Sequence, residues 1–159
     1  MLAMFIIYVI IIPLCTLLHE VGHGLGVLAT SKSPVHIYLG RKKDNKENFR
    51  LGRMHFHIIW SYTGFAYWDG KLNKMQRIAA LAGGPLISLL LGVIFGSMAW
   101  VWPHTDIRSL LWGISIYTMF QFICTVIPVT YPRWMGAYHG FESDGLQLWK
   151  LYKEQRINS

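Results

Sequence analysis

The stretch Leu14-Cys15-Thr16-Leu17-Leu18-His19-Glu20-Val21-Gly22-His23-Gly24-Leu25 sets a glutamate and two histidines inside an apolar run. Residues 1–18 carry no charge, and apolar residues resume at Leu25, Val27, Leu28 and Ala29. The pattern predicts one helix from about Leu2 to Thr30, with a kink at Pro13. At about 1.5 Å per residue it would be roughly 40 Å long, enough to cross a bilayer. Ionisable groups in hydrocarbon are costly unless they are paired, ligated or turned toward a wet cavity. His19 and His23 stand four residues apart, so both imidazoles leave one helical face and can reach one ion. Glu20 beside them can act on water there. H-E-x-x-H arises by chance about once in a few hundred chains of this length. The competing reading is a pair of core histidines hydrogen-bonded to neighbouring helices, and the membrane setting weighs against it. A catalytic zinc usually takes three protein ligands, so the rest of the chain must supply a third.

Composition supports the membrane reading. With 159 residues there is room for one domain, and 53% hydrophobic against 14% charged residues is far from the soluble norm. The net charge of +7 could suggest nucleic acid. Its basic residues, however, flank apolar spans as cytoplasmic loops do, so no nucleic-acid partner is expected. Cys15 and Cys124 fall in expected spans and read as buried free thiols rather than a disulfide. The N-terminus lacks a basic lead and a small-residue cleavage site, so the first helix is expected to be retained.

Residues 31–77 differ in kind. They hold Lys32, Arg41, Lys42, Lys43, Lys46, Arg50, Arg53, Lys71, Lys74 and Arg77 against three acids. The positive-inside rule assigns this segment to the cytoplasm and the N-terminus to the outside. Val35 to Leu39 reads as a strand, Arg41 to Asn48 as a charged turn, and Phe49 to Trp60 as an alternating strand. In that strand Met54, Phe56, Ile58 and Trp60 would point one way and Arg53, His55 and His57 the other. Gly64 to Trp68 would add a short third strand. The result is a small β-hairpin or sheet at the cytoplasmic leaflet. His55 and His57 have strand-face spacing that could bind metal; a solvated polar face is the plainer reading. Cys15, one turn before His19, is a soft extra ligand or a packing residue.

A second span is expected from about Arg77 to Trp102, with Trp100 and Trp102 at an interface, and a third from about Arg108 to Ile127. The segment 129–159 returns to the cytoplasm and carries a short helix, Leu146 to Tyr152. The fold class is thus an all-α polytopic membrane protein of three spans, N-out and C-in, with a β element between helices one and two. Gly22, Gly24 and Gly26 would let a helix or substrate approach closely. Asp144, at the start of the last helix, is either a dipole-complementing residue or the third metal ligand, and physics alone leaves the two level.

Together these residues resemble the site-2 proteases, which are intramembrane zinc metalloproteases. The likeness is carried by His19-Glu20-Val21-Gly22-His23, by Ala82-Gly83-Gly84-Pro85, and by Ile127-Pro128 followed by Ser143-Asp144-Gly145. It covers nearly the whole chain. The resemblance implies one zinc ion held by His19, His23 and Asp144, Glu20 as general base, and a β element that handles substrate. Gly84 and Pro85 would lie at substrate. Ser88 and Thr125 stand where the family commonly has asparagines that hold substrate backbone or an oxyanion. The gap from Pro128 to Asp144 is longer than the common version.

The expected function is hydrolysis of a peptide bond in or near a transmembrane segment of a membrane-protein substrate. The substrate helix must unwind first, and an edge of the 49–60 strand could take the extended segment by β-addition. Two other classes compete: a catalytically silent, metal-stabilised scaffold for transmembrane helices, and an ion or proton transporter subunit. So compact a form suits a prokaryotic plasma membrane. A homo-oligomer is compatible with this reading.

Overall fold

The computed structural model describes residues 5–157. Its first long helix opens with a π-helical turn, Ile7–Ile11, and continues as α1, Ile12–Thr30. The expected start at Leu2 lies outside the described residues. Pro13 occupies the first turn of α1, at the change from wide to regular helical turns, where its missing N–H does least harm. Two more long helices follow, α2 (Lys74–Val101) and α3 (Thr105–Val126). All three are long and apolar enough to cross a membrane. Their outer faces leave large apolar side chains uncovered, among them Leu14 and Leu25 on α1, Leu90 and Ile94 on α2, and Ile116 and Phe120 on α3.

Helix α2 starts three residues before the expected Arg77 because Asn73 and Gln76 form a reciprocal cap. The Asn73 side chain accepts the Gln76 N–H at 2.9 Å, and the Gln76 side chain accepts the Asn73 N–H at 2.9 Å. The Gln76 amide also donates to Thr30 O, tying the start of α2 to the end of α1. Further along, α1 and α2 cross at Gly22 and Gly83. A Cβ on either glycine would run into the backbone carbonyl of the other, so the pair permits a close approach of the two helices.

Between α1 and α2 the chain builds a four-stranded mixed sheet from β1 (Val35–Leu39), β2 (Phe49–Leu51), β3 (Met54–Ile58) and β4 (Gly64–Trp68), in the order β2-β3-β1-β4. Strand β1 runs parallel to β3 and antiparallel to β4. The single strand expected over 49–60 is broken at Gly52, whose φ of 59° turns the chain into a β2–β3 hairpin. The expected alternation holds for Met54, Phe56 and Ile58, of which Met54 and Phe56 pack with Val35, Ile37, Val27 and Ala80 in one core and Ile58 packs against it. Trp60 lies beyond β3, largely exposed, its indole N–H donating to Val9 O. Arg53 leaves the sheet to donate to Ser31 O and Leu28 O, satisfying carbonyls at the C-terminus of α1.

After α3 the chain makes a closed loop. Ser143 N–H donates to Val129 O, Tyr131 N–H to Phe141 O, and Thr130 pairs with Glu142, so the two ends of residues 129–143 lie side by side. A 3-10 turn, Arg133–Tyr138, lies within this loop. The extra length between Pro128 and Asp144 is absorbed here. Helix α4, Asp144–Ile157, then begins beside the end of α3, starting earlier and running longer than Leu146 to Tyr152. A Cβ at Gly145 would collide with Val126 O, so the Asp-Gly pair is what lets α4 start there.

Candidate metal centre and its cavity

His19 and His23 sit on the buried face of α1, and Asp144 opens α4. The distances are 3.2 Å between the two Nε2 atoms, 3.5 Å from His19 Nε2 to Asp144 Oδ2, and 3.4 Å from His23 Nε2 to the same oxygen. Among the described residues this is the group of histidine, cysteine and acidic side chains whose ligand atoms converge closely enough for one ion. A tetrahedral ion with bonds of about 2.0–2.1 Å needs ligand atoms roughly 3.3–3.4 Å apart, and all three edges fall within about 0.2 Å of that.

The surrounding hydrogen bonds decide which nitrogens carry protons. His23 Nδ1 lies 2.8 Å from Ala80 O; a carbonyl only accepts, so Nδ1 is the protonated nitrogen. His19 Nδ1 lies 2.8 Å from Ser88 Oγ, whose own proton is directed at Gln121 Oε1. That chain orients His19 with Nδ1–H donating to Ser88. Both Nε2 lone pairs therefore face one another and a carboxylate oxygen. Three electron-rich atoms turned inward at these spacings suit a cation, and the donor set of two imidazoles and a carboxylate suits zinc.

Asp144 is freed for this by its neighbour. Ser143 is the residue that caps α4: its Oγ accepts the Leu146 N–H at 3.1 Å and also donates to Ile127 O at 2.7 Å. Asp144 is then the first residue of the helix and turns its carboxylate to the histidines. Burial opposes charge on Asp144, but His23 and His19 outweigh it and hold the carboxyl well below the usual carboxylate range.

Beside these three side chains lies a cavity of about 300 Å³. Glu20 lines it, as do all five residues of β4 and the aromatic rings of Tyr117, Phe120, Tyr131, Tyr138 and Phe141. Glu20 is buried, with its Cγ packed so closely on Gly64 that a Cβ there would come within 2.6 Å. Tyr138 reaches in from the 129–143 loop, and its hydroxyl oxygen accepts the Gly64 N–H at 2.8 Å. Burial, with the nearby Glu20 carboxylate adding to it, pushes this phenol far above its usual range. It stays protonated, leaving an O–H to donate into the cavity.

Several expected site residues take other positions. Thr125 does line the cavity, but its hydroxyl donates to Phe122 O one turn back. Ser88 is fully buried behind His19 and serves that imidazole rather than the cavity wall. Gly84 and Pro85 are buried as well; a Cβ at Gly84 would strike His23 Nε2 and approach His19 Nε2 to 2.8 Å. Gly84 is thus the space in which the imidazoles stand. The 49–60 segment is not the strand edge at the site, because β3 is interior to the sheet and β2 is the far edge. The near edge is β4. Cys15 is buried away from the ligand group and packs, whereas Cys124 is only half-buried and lines the cavity. Tyr138 and Gln121 were missed by the sequence reading. Both act through partners far away in sequence, and no local motif marks them.

In comparison with known proteins, no family model, no curated protein and no solved structure matches the chain.

Proposed function

We propose that this protein is a membrane-embedded zinc endopeptidase of the site-2 protease kind, cutting a transmembrane segment of another membrane protein. The observation that carries the reading is the inward-facing triangle of His19, His23 and Asp144 with Glu20 beside it in a cavity. Zinc at that triangle supplies Lewis acidity for a carbonyl and for water. Glu20 takes a proton from the attacking water and delivers it to the departing amine as the peptide C–N bond breaks. Tyr138 offers its O–H to the oxygen that gains charge. Ser88 and Ala80 O keep each imidazole in the tautomer that presents Nε2.

The substrate segment lies extended along β4. Gly64 turns its N–H outward to Tyr138, while Asp69 N–H and Thr63 O point inward to the chain around β1, so the outward phase is Gly64, Ala66 and Trp68. Backbone groups of Ala66 and Trp68 are thereby offered on an edge that lines the cavity. An Ala66→Pro substitution removes one of those N–H groups; if cleavage of a reporter segment proceeds unchanged in that variant, strand addition at β4 is wrong. The three apolar helices and the basic 31–77 segment support a multi-pass protein with its N-terminus outside and its C-terminus cytoplasmic.

The decisive experiment measures zinc per chain in detergent-purified native protein and in Asp144→Ala. Near-stoichiometric zinc in the native protein that drops by at least about 100-fold in affinity in the variant supports the site. Zinc retained unchanged in the variant would remove Asp144 from the ligand set and the proposal with it. Glu20→Gln then separates an enzyme, which loses turnover, from a scaffold, which keeps its function.

A further inference from the structure

A second group of imidazoles lies on the face of the sheet turned away from α1. His36 on β1 and His55 and His57 on β3 share that face, since Val35, Ile37, Met54 and Phe56 occupy the core side. His36 Nδ1 and His57 Nε2 lie 3.1 Å apart, close to the separation of the Nε2 pair in the first site. His57 Nδ1 faces Asn45 O at 3.2 Å, and because a carbonyl only accepts, that nitrogen carries the proton. His57 Nε2 therefore holds a lone pair. On His36 the other nitrogen, Nε2, lies 3.5 Å from the Asp69 carboxylate, which favours the proton there and leaves Nδ1 unprotonated. Two lone pairs then face each other at a distance suited to two ligands of one tetrahedral ion.

The surroundings carry the marks of a supported site. The carbonyl and carboxylate behind the two imidazoles are the partners that orient metal-ligating histidines. The 40–48 loop is pinned over this face, with the buried Asn45 amide donating to Leu39 O and His57 O. His55 stacks on His36 with ring centroids 4.7 Å apart, and Glu47 holds its Nδ1 at 2.9 Å. His55 thus braces the pair, and water would fill the remaining positions around an ion held by His36 and His57. Lys42, over the Tyr38 and Tyr67 rings, puts positive charge on the same face and makes it a weaker site than the first.

We propose that His36 Nδ1 and His57 Nε2, with water completing the coordination, bind a divalent zinc-type ion on the outer face of the sheet. Bound there, the ion ties β1 to β3 and fixes the 40–48 loop. The inference stands apart from the peptidase reading, because it uses none of the residues of the first site.

The test is zinc titration of the untagged, metal-stripped full chain in detergent. Three proteins are compared: native, His19→Ala with His23→Ala, and His36→Ala with His57→Ala. Native protein should take up a tight and then a weaker equivalent. The first double variant should keep only the weaker one, and the second only the tight one. If the His36 and His57 substitutions leave uptake at the native level, the pair is an imidazole-to-imidazole hydrogen bond and the proposal falls. Because removing His36 and His57 could loosen the sheet, His36→Gln with His57→Gln is also titrated, with circular dichroism as the fold control. Loss of the weaker equivalent with an unchanged spectrum supports the site, and its retention overturns it. Binding of the weaker equivalent alone would sink the peptidase reading while leaving this one standing.

Discussion

Two pairs of imidazoles in this chain have almost the same spacing, 3.2 Å between His19 and His23 and 3.1 Å between His36 and His57, in opposite settings. The first pair stands on one helix, four residues apart, and the bundle is arranged around it. Gly84 leaves room, Ala80 O and Ser88 set the tautomers, and Asp144 arrives from the last helix. The second pair is brought together by two neighbouring parallel strands and leans on a loop carbonyl and the more exposed Asp69. Equal geometry therefore does not mean equal chemistry. The buried pair comes with a third side chain, a cavity and a glutamate; the outer pair lies on the face of the sheet without them.

The break that strikes the ligand atoms themselves is Gly84→Ala, which drives a methyl group into both Nε2 atoms of the first pair. Zinc uptake there should weaken by at least about 100-fold while the sheet pair keeps its ion. A site-resolved zinc titration checks this, and normal tight binding would show that the imidazoles do not stand where described. Next comes Glu20→Gln, which keeps every ligand. Zinc should remain near-stoichiometric while hydrolysis of a reporter transmembrane segment falls by about 10³-fold. Joint loss of zinc and activity would instead make Glu20 part of the metal's support. Tyr138→Phe should lower kcat by about 10²-fold with KM little changed, and a change in KM alone would turn Tyr138 into a substrate-binding wall. Ser88→Ala removes only the acceptor behind His19, so competition with a chelator should reveal zinc affinity lower by about 10-fold. Smallest of all, Arg53→Ala should lower the unfolding free energy by about 1 kcal/mol by uncapping α1, with both sites still binding zinc. A larger loss, read from thermal unfolding, would mean that the sheet holds the first site together.

How much of this could be read in advance follows from distance along the chain. The spans and the His19–His23 pair are visible because period and spacing within one helix encode them. The alternation of Met54, Phe56 and Ile58 is legible for the same reason. Strand order is not, since β1 bypasses β2 to pair in parallel with β3, and no residue in either strand announces that partner. The turn at Gly52 and the Asn73–Gln76 cap were written in the sequence and went unread. Ser88 was read from its place in a motif and sent to the substrate, when its burial makes it a support for His19. Asp144 has two readings at a helix start, and the cap supplied by Ser143 leaves its carboxylate turned to the histidines. Tyr138 illustrates the remaining limit, because it reaches Glu20's side of the cavity only through a loop whose closure depends on contacts between Val129 and Ser143.

The triangle draws two corners from the first long helix and one from the last, with the sheet and two further helices in between. During synthesis, therefore, the triangle has no third corner until α4 has emerged and docked against the end of α3 through Gly145. Until then the two histidines and Glu20 stand on α1 without the carboxylate that completes the group. The group is thus completed late and in one step, and a chain halted before α4 never holds the three side chains together.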